Sequence, residues 1–132
     1  EVKEFRAVLG EARASVSDRS IEITEKVFFE LDSAAIEQRS HALLDEIASI
    51  LQRNASIKLV EVAGHTSSDG TTEHNKQLSV ERAQAVVSFL TARGVADFRL
   101  KYIGYGEEQP LNVEDPVSSE NRRVEFIILK RK

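Results

Sequence analysis

The stretch Ile57-Lys58-Leu59-Val60-Glu61-Val62-Ala63-Gly64-His65-Thr66-Ser67-Ser68-Asp69-Gly70, continued through Asn75, Leu78-Ser79 and Arg82-Ala83 to Gly94, decides how this chain folds. Its opening residues are mostly apolar and read as a strand that ends at Ala63-Gly64. A polar loop follows from His65 to about Thr72. Over roughly 73 to 93, Leu78, Ala85, Val86, Phe89 and Leu90 fall on the buried stripe of a helix. Ser79 is expected to cap its main run, with Glu81 well placed near the positive helix end. Gly94 sits where a C′ glycine closes a helix. The loop between strand and helix is rich in small residues, which let a ligand approach the backbone. The helix start offers N–H groups that suit an anion. Arg82 presents a fork for a carboxylate, and Asn75 both donates and accepts. These features suggest a pocket for a small zwitterion that carries carboxylates. On spacing alone, a solvated helix behind a structural loop remains the more ordinary reading.

Working outward, residues 1 to 19 read as a short helix or linker, with Val2, Phe5, Val8 and Leu9 at helical spacing. Ser20 to Thr24 alternates like a half-buried strand, and Val27-Phe28-Phe29 extends the β signal past a break. Leu31 to Ala34 turns the chain. Residues 38 to 53 form a helix with Leu43, Leu44, Ile47, Ile50 and Leu51 on one face, and Asn54 stops it. Phe98 to Tyr105 reads as a strand, Gly104-Tyr105-Gly106 as a turn, and 107 to 120 as a polar loop. Val124 to Leu129 is the last strand. The order β-α-β-α-β-β favours a layered sandwich with both helices on one face of the sheet. Residues 20 to 132 would form the domain.

Composition narrows the function. The 132 residues are enough for a single core. The net charge of −4, from 18 basic and 22 acidic residues without long runs of one sign, argues against a nucleic-acid partner. There is no cysteine, hence no disulfide or thiolate metal site. No apolar run approaches the roughly 20 residues of a membrane span, so no membrane insertion by this segment is expected. The start at Glu1 rather than Met marks an expected piece of a longer protein, with any export signal or anchor outside it. His65 has only His41 and His74 for company and no clustered carboxylates, so neither a metal nor another cofactor is expected. Ser67 and Ser68 lack a nucleophile-elbow context, so no catalytic residue is assigned.

The same residues resemble the OmpA-like C-terminal domain family, which includes peptidoglycan-associated lipoproteins and the periplasmic domains of flagellar stator proteins. The resemblance rests on several separated motifs in order: Phe28-Phe29-Glu30-Leu31-Asp32-Ser33-Ala34-Ala35-Ile36, the helix through Leu44 to Leu51, and Gly64 through Ala83. Further on come Gly94-Val95, Gly104-Tyr105-Gly106-Glu107 with Pro110, and Asn121-Arg122-Arg123-Val124-Glu125-Phe126. It covers about residues 20 to 130. It implies an α+β fold, an OmpA-like β-α-β-α-β-β sandwich with helices packed on one face of a mixed sheet. It also implies non-covalent binding of peptidoglycan through the diaminopimelate of the stem peptide, in the periplasm of a Gram-negative bacterium, and no enzyme activity.

By that resemblance Arg82 meets a ligand carboxylate, Asn75, Thr66 and Leu78 support it, and Glu30 adds a contact near the first strand. The family's acidic partner for the ligand ammonium is Ser67 here. Asp69 or Glu30 is expected to substitute for it. Val117-Ser118 stands where the family often has Gly-Arg, so one basic contact is missing. Arg123 either reaches the site or pairs with Glu125. The rival expectation is a degenerate domain that forms a homodimer or docks on another envelope protein.

Overall fold

The computed structural model describes residues 13–132. Among them one sheet of five strands carries two α-helices. The strands are β1 (Ala14–Val16), β2 (Ser20–Ile23), β3 (Ile57–His65), β4 (Leu100–Gly104) and β5 (Arg123–Arg131). The helices are α1 (His41–Arg53) and α2 (Thr72–Ala92). The sheet order is β1-β2-β5-β3-β4. β3 and β4 run parallel, as a strand-helix-strand crossover requires, and the other pairs are antiparallel. This is the expected α+β sandwich with its helices on one face of a mixed sheet.

The core lies between that face and the helices. From α1 it takes Leu43, Leu44, Ile47, Ile50 and Leu51, the stripe read from the sequence, and from the sheet Ile21, Val60, Val62, Val124 and Phe126. The stripe of α2 differs from expectation. Asn75, Ser79, Ala83, Val86 and Leu90 are buried, while Leu78, Ala85 and Phe89 are only half-buried. The cause is close approach. Gly64 and Gly104 are register partners on β3 and β4, and α2 crosses directly over them at Ser79 and Val80. Only small side chains fit on that part of the helix. The larger Val86 and Leu90 come where the helix has moved past the glycine pair.

Ser79 is therefore no cap. It is fully buried mid-helix, where its Oγ donates to the Lys76 carbonyl (2.8 Å) and accepts from the Gly106 amide (2.9 Å). Thr71 caps α2 instead, its Oγ1 accepting from the His74 amide at 3.1 Å. At the other end Gly94 does take the left-handed conformation (φ 102°). The Val95 and Gly94 amides donate to the Leu90 and Thr91 carbonyls, closing a Schellman motif.

Three boundaries depart from the sequence reading. Ala14–Val16, placed above in a helix or linker, is a strand paired with β2. The residues expected to begin that helix, Val2, Phe5, Val8 and Leu9, lie outside the described residues. Val27 and Phe28 join no ladder, and Phe29 makes only an isolated bridge to Ile36. The Phe28 amide donates instead to the buried Ser40 Oγ at 2.8 Å, which removes it from strand pairing. Asp97–Arg99 is a 3₁₀ turn, so β4 starts only at Leu100.

Candidate functional site

Three segments meet at the end of β3 to enclose a cleft of about 730 Å³. One wall is the loop through Lys26 and Phe29 to Asp32. The floor runs from Gly64 to Gly70 and continues onto the first turns of α2. The far wall is Ser119 with Arg122, Arg123 and Val124.

Of the residues singled out from the sequence, the cleft gathers Thr66, Ser67, Asp69, Asn75, Leu78, Arg82 and Arg123. Glu30 is not among them. Its side chain is exposed outside the lining, because its backbone closes a tight loop with Ala35 and Ser33. The loop turns at Asp32, whose left-handed backbone (φ 52°) brings its own carboxylate into the lining instead. There Asp32 Oδ1 lies 2.7 Å from His74 Nε2, a link from this loop to the start of α2.

Arg82 is half-buried. Its Nε donates to the Ser33 carbonyl at 2.8 Å, and its guanidinium carbon lies 4.8 Å from the centre of the Phe29 ring. The terminal nitrogens of the fork have no hydrogen-bond partner among the described residues, and Arg82 lines the cleft. Burial lowers the guanidinium's pKa. Asp32 opposes that shift, and Arg122 adds to it. The charge is dehydrated and held, which is what an anion-binding group needs.

Asn75 is buried. Its Nδ2 donates to the Ser67 carbonyl (3.2 Å) and to Glu107 Oε1 (2.8 Å), so it shapes the floor. Thr66 Oγ1 is buried and unpartnered. Ser67 is also buried, and Arg122 donates from Nη1 to its Oγ at 3.1 Å. Asp69 stays exposed on the rim.

Arg123 lines the cleft and is also held internally. Its Nε donates to Glu125 (2.8 Å), and its two terminal nitrogens donate to the Asn121 and Gln109 carbonyls. Reading the sequence missed Lys26, Asp32, His74 and Arg122 as cleft residues. Lys26 Nζ donates to the Ser119 carbonyl, and burial, then Arg122 and Arg123, lower its pKa against the pull of Glu120. Asn121, completely buried, shapes the loop behind the far wall. Its side chain accepts from the Asn112 amide and donates to the Asp115 and Pro116 carbonyls.

His65 stacks on Tyr105 with ring centres 5.2 Å apart, and its Nε2 lies 3.3 Å from Glu125 Oε1. The Tyr105 hydroxyl donates to Glu61 at 2.7 Å, which fixes that ring. His65, then Arg123, hold the Glu125 carboxyl down at about 2 from its ordinary 4.5, despite partial burial acting the other way. A depressed carboxyl adds stability above its unfolded value and loses it as pH falls through the folded one. The contribution of Glu125 is thus expected to vanish between about pH 4.5 and 2. Glu125→Gln should lower the urea midpoint at pH 7 by the equivalent of about 1 kcal/mol, a figure reduced for solvent screening. The gap from the wild type should close by about pH 2; a constant gap across that range would remove Glu125 from the acid response.

Among the described residues no group of three or more His, Asp or Glu side chains is placed to hold a metal ion. No helix among them is long and apolar enough to cross a membrane.

A strand-end loop with a helix start and an internal arginine, facing a loop from the first strand, is the arrangement of one class of domain. The model of the OmpA family matches residues 28–123, and the chain belongs to that family. The chain is 39% identical over 111 residues to the peptidoglycan-associated lipoprotein of Mesorhizobium japonicum, covering 83% of this chain and 66% of that protein. It thus spans about two thirds of the length of the curated relative it matches. Among solved structures it is similar to the peptidoglycan-associated lipoprotein of Burkholderia pseudomallei (28% identity, TM-score 0.66, 78% of this chain and 89% of that one). It is also similar to the C-terminal domain of Helicobacter pylori MotB (27% identity, TM-score 0.67, 80% and 83%).

Proposed function

We propose that this domain binds cell-wall peptidoglycan non-covalently in the cleft and thereby tethers an envelope protein to the wall from the periplasm. One observation carries the reading: a half-buried guanidinium, Arg82, lines the cleft, anchored through Nε to the Ser33 carbonyl, with the rest of its fork lacking a hydrogen-bond partner among the described residues. A carboxylate of a diaminopimelate-type stem peptide is the wall group that matches it. The name of its relatives, peptidoglycan-associated lipoprotein, supports the same assignment. Leu78 and Phe29 supply apolar walls for the aliphatic stem.

Co-sedimentation with purified sacculi tests this. The domain should pellet with the wall, and millimolar meso-diaminopimelate should release it. A domain that stays in the supernatant at low salt would overturn the proposal.

The second reading is a domain that keeps the fold but serves protein contact. Ser67 in the family's acidic position favours it, as do Leu111, Val113 and Val117 exposed on the long loop. It predicts no retention on sacculi, together with a concentration-dependent dimer in analytical ultracentrifugation.

A further inference from the structure

The part of the cleft around position 67 is built to donate hydrogen bonds. Arg122 Nη1 donates to Ser67 Oγ at 3.1 Å, so the serine's own proton is free to donate onward. Next to it Thr66 Oγ1 is buried without a hydrogen-bond partner among the described residues. Arg82 adds the free end of its fork.

The charges point the same way. Lys26, Arg82, Arg122 and Arg123 line the cleft against Asp32 and Asp69. Asp32 already sits 2.7 Å from His74 Nε2, and Asp69 is out on the exposed rim. Glu125 is held by His65 and Arg123, and Glu107 accepts from Asn75. Among the described residues the cleft's one carboxylate without an ion pair, that of Asp69, thus lies out on the exposed rim, while the group held directly against Ser67 is a guanidinium, which repels an ammonium.

We infer that this cleft selects a diaminopimelate-type ligand whose carboxylates are free and whose side-chain amine is acylated, rather than the zwitterion with a free ammonium. This rests on the peptidoglycan reading above. Acylation turns a charged group that only donates into an amide that offers a carbonyl to Ser67 and Arg122. It is also the state of that amine in a cross-linked stem peptide, so the chemical class of the ligand is the linked rather than the unlinked wall.

The test is isothermal titration of the domain with meso-diaminopimelate and with its mono-N-acetyl derivative. The wild type should bind the acetylated compound about tenfold more tightly, the low end of what one hydrogen bond to a charged group supplies. Arg122→Ala should erase the preference. Ser67→Asp, which restores a carboxylate beside Arg122, should reverse it by about tenfold. Equal affinity of the wild type for the two compounds, or tighter binding of the free amine, overturns the inference. Binding of neither compound by a domain that sacculi retain overturns the selectivity alone. Binding of neither without retention on sacculi overturns the peptidoglycan reading along with it.

Discussion

Arg82→Ala is expected to weaken binding of meso-diaminopimelate and of its N-acetyl derivative by about a hundredfold, and to leave the domain in the supernatant of a sacculus assay. Two charge-assisted hydrogen bonds from the free end of the fork would supply about 3 kcal/mol, and that much corresponds to about two decades in Kd. The side chain is already oriented by Ser33 and by the Phe29 ring, so little rotamer freedom remains to be lost on binding. Arg82→Lys should recover less than a tenth of the lost affinity. Lysine keeps the charge but cannot hold the Ser33 carbonyl while presenting a fork. Stability should fall by only about 1 kcal/mol in either variant, the value of one hydrogen bond. Isothermal titration and urea unfolding on the same samples separate the two effects. An alanine variant that binds like the wild type would remove the cleft as the ligand site.

The largest loss of stability is expected from Gly104→Ala, about 3 kcal/mol or more in urea unfolding. A methyl group there would meet the Val80 amide nitrogen, which is helix backbone, and the Ser79 hydroxyl, which is tied to Lys76 and Gly106. Overpacking of this kind costs about 1–3 kcal/mol, and more where neither neighbour can move. Gly64→Ala meets the Ser79 carbonyl from the adjacent strand and should behave alike. Either change lifts α2 from the sheet and carries Arg82 and Asn75 with it, so ligand affinity should fall together with stability. An unfolding midpoint within about 1 kcal/mol of the wild type would show that the helix yields at little cost.

What the sequence disclosed depends on the range of the interactions involved. The faces of α1 and the course of β3 follow from spacing, because burial of a periodic stripe is a local property. β1 was invisible. It has three residues, and the amides of Arg13 and Ala14 are satisfied by Glu46, more than thirty positions away on α1. The same limit applies at the cleft. Thr66, Ser67, Asn75 and Arg82 lie in one continuous strand-loop-helix segment and could be grouped by inspection. The opposite walls come from the two flanking regions of the chain, and neighbouring residues there exchange roles. Arg122 reaches Ser67 while Arg123 is fully engaged by Glu125, Asn121 and Gln109. Asp32 enters the lining while Glu30 does not, a choice made by one left-handed residue in a tight turn.

The strand furthest along this sequence, β5, lies in the middle of the sheet, between β2 and β3. During synthesis β2 and β3 therefore have no common neighbour until β5 threads between them. The cleft draws on both sides of that late seam, so an incompletely emerged polypeptide has no cleft to offer a ligand. High sequence separation of this kind slows folding. Here it also makes completion of the cleft wait on completion of the sheet.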